Sequence, residues 1–138
     1  MSTFRKYGKE PYSIVTIHGG PGAPGGMAYL ANIISEKHGV LEPFQTANSI
    51  KGQVQELYSV IKDHCLNLPV RLIGHSWGAW LAYIFTENFP GIVNKLILIG
   101  AGAFEEKYNA DFMKIRLNRL NKSERREAQH LINILVMG

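Results

Sequence analysis

The stretch VRLIGHSWGAW, residues 70–80, limits what this chain can fold into more than any other. An apolar run from Val70 to Ile73 reaches Gly74, and Gly74 and Gly78 bracket Ser76 in the spacing G-x-S-x-G before a helical pattern takes over. A strand that turns into a helix within so few residues holds the central one in a strained backbone conformation. Its neighbours two positions away must therefore lack side chains that would collide. Such a corner presents the Ser76 hydroxyl at a helix N-terminus, where orphan N–H groups and the dipole favour the negative charge of an acyl-transfer intermediate. The same spacing also serves as a plain tight turn in other α/β proteins.

The flanking sequence alternates strands with helices. Tyr12–Ile17 (YSIVTI) is β-branched and mostly apolar, as a strand buried on both faces should be. It runs into His18-Gly19-Gly20-Pro21-Gly22 and then Ala23-Pro24-Gly25-Gly26, too rich in glycine and proline to continue a strand or begin a helix. Residues 27–37 place Met27, Leu30, Ala31 and Ile34 on one helical stripe, and residues 49–65 do the same with Ile50, Val54, Leu57, Tyr58 and Ile61. Between them, residues 39–46 make a weak strand, since Pro43 interrupts any ladder. A helix over 78–89 ends at Pro90, and Lys95 through Ile99 (KLILI) is a further buried strand closed by Gly100-Ala101-Gly102. Residues 1–11 are a polar, basic lead-in with room for a short strand. The alternation predicts right-handed βαβ units, hence an α/β fold with a mainly parallel sheet of about four strands flanked by helices. Ligands bind beyond the carboxyl ends of such strands where the strand order reverses, which sets the 18–26 loop opposite Ser76 across a crevice.

At 138 residues, with 46% hydrophobic and 19% charged residues, the chain can bury a core. A lone cysteine, Cys65, closes a helical pattern and acts in packing; it cannot form an internal disulfide. With neither a signal peptide nor a long apolar span in view, the expectation is a cytoplasmic protein with no membrane partner. Seven of its fifteen basic residues fall between Lys107 and Arg126. They alternate with Phe112, Met113, Ile115, Leu117 and Leu120 at helical spacing, so an amphipathic helix with a solvated face accounts for them without a nucleic-acid partner.

HGGPG at residues 18–22, GHSWG at 74–78 and KLILIGAG at 95–102, in that order and separation, resemble the α/β-hydrolase superfamily and within it the proline iminopeptidases and their relatives. The resemblance covers roughly Tyr12 to Gly102. It implies that Ser76 is the nucleophile, that the backbone N–H groups of Gly20 and Trp77 form the oxyanion hole, and that His18 supports its loop. No metal or cofactor is implied, and the substrate is a small molecule or short peptide bearing an ester or N-terminal amide. The acidic, glycine-containing motif usual after the weak strand is replaced here by Glu42-Pro43-Phe44-Gln45-Thr46.

The family order is nucleophile, acid, histidine, the last two on loops after later strands. After Gly100 only 38 residues remain, and they read as two helices, one over 112–120 and one opening at Asn121 with Glu124 three residues on. The second carries Ala128, Leu131, Ile132 and Leu135 on a stripe. The resemblance implies residues 1–104 as the N-terminal part of the hydrolase core and 105–138 as the start of a helical cap, with the chain ending inside it and the acid and histidine of the relay missing. His75 should diverge from its neighbour Ser76 at a sharp turn, and Asp111 and His130 imitate the order of a triad from cap-like helices rather than strand ends. Glu105 and Glu106, just past the last strand, are the better candidates to meet an amine on a substrate. With the Lys95–Ile99 strand lacking its usual neighbour, self-association through that edge or through the cap helices is expected. Two functions fit: a serine hydrolase whose short chain turns over little, and a non-catalytic half-domain kept for binding or self-assembly.

Overall fold

The computed structural model describes residues 3–20 and 23–137, with the side chains of 110 and 135–137 outside the description. Pro21 and Gly22 of the HGGPG run, Leu135 of the last helical stripe and Gly138 therefore lie outside the described side chains. Residues 1–102 and 103–138 form two compact units.

The first unit is a five-stranded sheet. Its strands are β1 (Phe4–Tyr7), β2 (Tyr12–Ile17), β3 (Gly39–Pro43), β4 (Val70–His75) and β5 (Val93–Ile99), in the spatial order β1-β3-β2-β4-β5. The β3–β2, β2–β4 and β4–β5 pairs are parallel, and β1 lies antiparallel on β3. Five strands agree with the expected sheet of about four, and the fifth is the short strand of the lead-in: β1 has four residues with an exposed, charged middle, and its pairing partner lies far along the chain.

The strand at 39–43 departs from expectation. It is buried at every position and paired on both sides. Pro43 is its last residue, opposite Phe4, so the ring ends the ladder instead of interrupting it.

Helices cover both faces. On one, α1 (Ala28–Ser35) brings Ala31 and the preceding Met27 against Ile14, Val40 and Ile73. On the other, α2 (Ile50–His64) and α3 (Trp77–Asn88) bring Val54, Leu57, Ile61, Leu81 and Phe85 against Val15, Leu41, Val70 and Leu72. Neighbouring residues of a strand thus go to opposite faces, Ile14 and Val15 among them, as the twofold pleat requires. Ser49 caps α2, its hydroxyl accepting from the Gly52 N–H at 3.1 Å. Cys65 closes α2 and is buried.

The second unit holds a single 3-10 turn (Glu106–Tyr108), α4 (Asn109–Asn118) and α5 (Lys122–Met137). The predicted start of α5 is observed as a reciprocal cap. Asn121 Oδ1 accepts from the N–H groups of Ser123 and Glu124, and a Glu124 carboxyl oxygen accepts from the Asn121 N–H. Arg125 ties the helices together, donating to the Leu117 carbonyl of the last turn of α4 and to the Leu120 carbonyl just beyond it. Of the apolar residues expected on the first helix, Leu117 and Leu120 are half-buried while Phe112, Met113 and Ile115 are exposed, and no described side chain of this unit is buried.

Candidate functional site

β4 ends at His75, and α3 begins at Trp77, leaving Ser76 alone at the corner. Ser76 has φ 53 and ψ −117, and among the described residues it is the one non-glycine with positive φ. The strain is held from three directions. The Ser76 N–H donates to the Ile99 carbonyl at 2.9 Å, fixing the corner to the end of β5, and its own carbonyl accepts from the Ala79 N–H. The bracketing glycines show why no side chain fits. A Cβ on Gly74 would lie 2.2 Å from the Gly78 carbonyl oxygen, and one on Gly78 would lie 2.2 Å from that of Ile17. The second clash is with β2, so the requirement is tertiary as well as local. Ser76 itself is exposed.

The glycine-rich loop leaves β2 beside this corner. A Cβ added to Gly19 would stand 3.0 Å from Ser76 Cβ and 3.1 Å from His75 Nδ1. Gly20 follows with φ +48 and open space where a side chain would go. The two stretches set opposite one another by topology are thus neighbours.

Both sides of the corner are buttressed. Trp77, the first helical residue, donates its indole N–H to Gln53 Oε1 at 2.8 Å; Gln53 is buried in α2 and passes its own amide to the Ala47 carbonyl. His18 is fully buried and makes two ring contacts. Its Nε2 receives the Gln45 N–H at 3.4 Å, which leaves Nδ1 to donate to the Gly19 carbonyl at 3.0 Å. The expected supporting place of His18 is what these bonds describe. Glu42, also fully buried, accepts from Tyr7 Oη at 2.6 Å and from the Met27 N–H at 3.0 Å. Burial, and then the bond to Glu42, pushes the Tyr7 phenol above its ordinary value of 10.0.

Sequence reasoning passed over Glu42, Gln45 and Gln53 as site residues. Gln53 carried a signal, since it shares a helical stripe with Ile50 and Leu57 and is polar there.

His75 makes no hydrogen bond to Ser76; its ring lies by Gly19 and by the Gly100 turn. Glu105 and Glu106 belong to the second unit, where the Glu105 carboxylate pairs with Lys107 Nζ at 2.5 Å on the surface. Among the described residues no group of three His, Cys, Asp or Glu could hold a metal ion. No helix there is long and apolar enough to cross a membrane. A cleft of about 530 Å³ lined by Lys9, Ser13, Lys37 and His38 opens by the amino ends of β2 and β3, away from Ser76.

A parallel sheet with helices on both faces, a G-x-S-x-G corner after its fourth strand and a glycine loop beside it constitute the α/β-hydrolase fold over the part of it this chain spans. Among solved structures, a candidate lipase from Acinetobacter baumannii AYE superposes with a TM-score of 0.68 at 18% identity, covering 83% of this chain and 44% of its own. The thioesterase domain from the curacin biosynthetic pathway gives 0.63 at 22%, covering 80% and 46%. An esterase from a marine microorganism gives 0.59 at 28%, covering 88% and 52%. The chain spans about half the length of these structures. No family model matches the sequence, and no curated protein does.

Proposed function

We propose that the chain is the nucleophile-bearing part of a serine hydrolase similar to the proline iminopeptidases, forming an acyl-enzyme at Ser76 from a small ester or an N-terminal amide in the cytoplasm. One observation carries this: an exposed serine held at positive φ on a helix N-terminus, beside a glycine loop so near that a Cβ on Gly19 would stand 3.0 Å from Ser76 Cβ. In the proposed chemistry Ser76 Oγ attacks the carbonyl carbon, and the backbone N–H groups of Gly20 and Trp77 receive the oxyanion. Losing one such donor costs about 10²–10³ in rate.

Proton transfer is the weak part of this chemistry. Of the four histidines in residues 1–102, none hydrogen-bonds Ser76: His18 is engaged in its loop, His64 stacks on Phe4 and His75 stands aside. Removing the histidine from such a unit costs about 10⁶ in turnover. An oxyanion hole with binding alone retains about 10³–10⁴ over water. That imbalance, with the open flank of β5, favours a second reading in which the chain is a non-catalytic half-domain used for binding or assembly.

Labelling with a fluorophosphonate followed by peptide mapping distinguishes the two. The hydrolase reading expects slow, stoichiometric modification of Ser76 that disappears in Ser76→Ala. Absence of label from Ser76 under conditions that label a reference serine hydrolase would leave the half-domain.

A further inference from the structure

We propose that Glu42 and Gln45, at the carboxyl end of β3, are positioning residues that clamp the glycine-rich loop at both of its ends. The loop runs from His18 to Met27, and its two ends are held by residues only three apart in the chain. At its exit, Glu42 accepts from the Met27 N–H at 3.0 Å, immediately before α1. At its entrance, Gln45 Nε2 donates to the His18 carbonyl at 2.9 Å while the Gln45 N–H approaches His18 Nε2. Tyr7 Oη anchors Glu42 from β1 at 2.6 Å, so the clamp is tied in turn to the edge of the sheet.

Two physical considerations make this more than incidental bonding. The first is entropy. Residues 19–26 include Gly19, Gly20, Gly22, Gly25 and Gly26, so the loop has more backbone freedom to lose than any other segment of its length here. Among the described residues, its own backbone bonds are turn contacts of 3.0–3.3 Å: Ala23 to Gly20, Gly26 to Ala23 and Ala28 to Gly25. They curl the chain without fixing it to the sheet. The second is burial. Glu42 is fully buried among Val40, Leu41 and Met27, where an apolar side chain of like volume would be easier to place. A buried acidic side chain accepting from one loop amide and one phenol holds a direction that packing alone does not. The sequence EPFQT, which departs from the family motif at this point, thus has a role of its own. It fixes the loop whose Gly19 lies beside Ser76, with no room for a side chain between them.

The inference rests on the proposed function only for its consequence, that fixing the loop fixes the Gly20 donor. Hydrogen exchange at single amides separates the two. In Glu42→Leu, exchange at Met27, whose N–H Glu42 accepts, is expected to accelerate about tenfold or more, the change from losing one hydrogen bond of ordinary net strength, and in Gln45→Ala the amides bonded inside the loop, Ala23 and Gly26, are expected to accelerate likewise. Amides of Leu72 and Ile73 in β4 serve as the internal control and should hold their rates. Glu42→Gln keeps an acceptor for Met27 and is expected to stay within about threefold of the wild type. Tyr7→Phe, a milder variant that removes one of the two donors to Glu42, should accelerate Met27 without touching β4. Unchanged loop exchange in these variants, or acceleration by the same factor in the loop and β4, would overturn the clamp. Fluorophosphonate modification of Ser76 should slow in step with loop exchange. A loosened loop with unchanged modification leaves the clamp standing and overturns the assignment of Gly20 as oxyanion donor.

Discussion

Gly78 concentrates the constraints on the corner. It must follow Ser76 at a distance that lets the chain turn, and it must also let β2 pass within van der Waals reach. Gly78→Ala drives a methyl against the Ile17 and His18 carbonyls, neither of which can move without disturbing the sheet. The expected loss is about 3 kcal/mol, the upper end for overpacking, measured as a lower urea midpoint. Cys65 gives a pH-dependent counterpart. Burial pushes its thiol up to about 11 from an ordinary 9.0, so the folded state favours the protonated form. The stabilisation is present below pH 9 and is lost as pH rises toward about 11. A urea midpoint falling across that window in the wild type, and falling less in Cys65→Ala, is the expected outcome. Iodoacetamide should spare the folded thiol at neutral pH.

Among the elements, the strands differ in how plainly the sequence announces them. β2 and β4 could be read directly because each is a short, mostly apolar and mostly buried run, and the glycines after each admit few conformations. β3 was underrated because Pro43 looks like an interruption until its place at the end of the ladder is known. The roles of Glu42 and Gln45 were not legible at all. Their partners, Tyr7, Met27 and His18, lie 15 to 35 residues away in the chain, and only the folded sheet brings them together. In α4 and the turn after it, Met113, Leu117 and Leu120 share one side at 3.6 residues per turn, while Phe112 and Ile115 fall off it, so the alternation of charged and apolar residues gives a narrow stripe. β5 carries the prediction at this scale. It is the last strand of the sheet, and Ile97, Leu98 and Ile99 are each about 40% exposed. We propose that copies of the chain associate through this strand. Sedimentation should give a mass above 15.4 kDa that rises with concentration, and Leu98→Lys should return it toward 15.4 kDa. A 15.4 kDa species at every concentration would contradict the association.

For the molecule as a whole, the sheet, the corner and the glycine loop are one device. The two faces of helices hold β2 beside β4, that pairing sets Gly19 beside Ser76, and the proposed clamp from β3 keeps the loop there. The most direct test is the intact mass of the protein after incubation with p-nitrophenyl acetate, followed by mapping of any adduct. The account predicts a single acetyl group on Ser76, formed slowly and absent from Ser76→Ala. No adduct, or acetylation of Ser76→Ala at the wild-type rate, would contradict it.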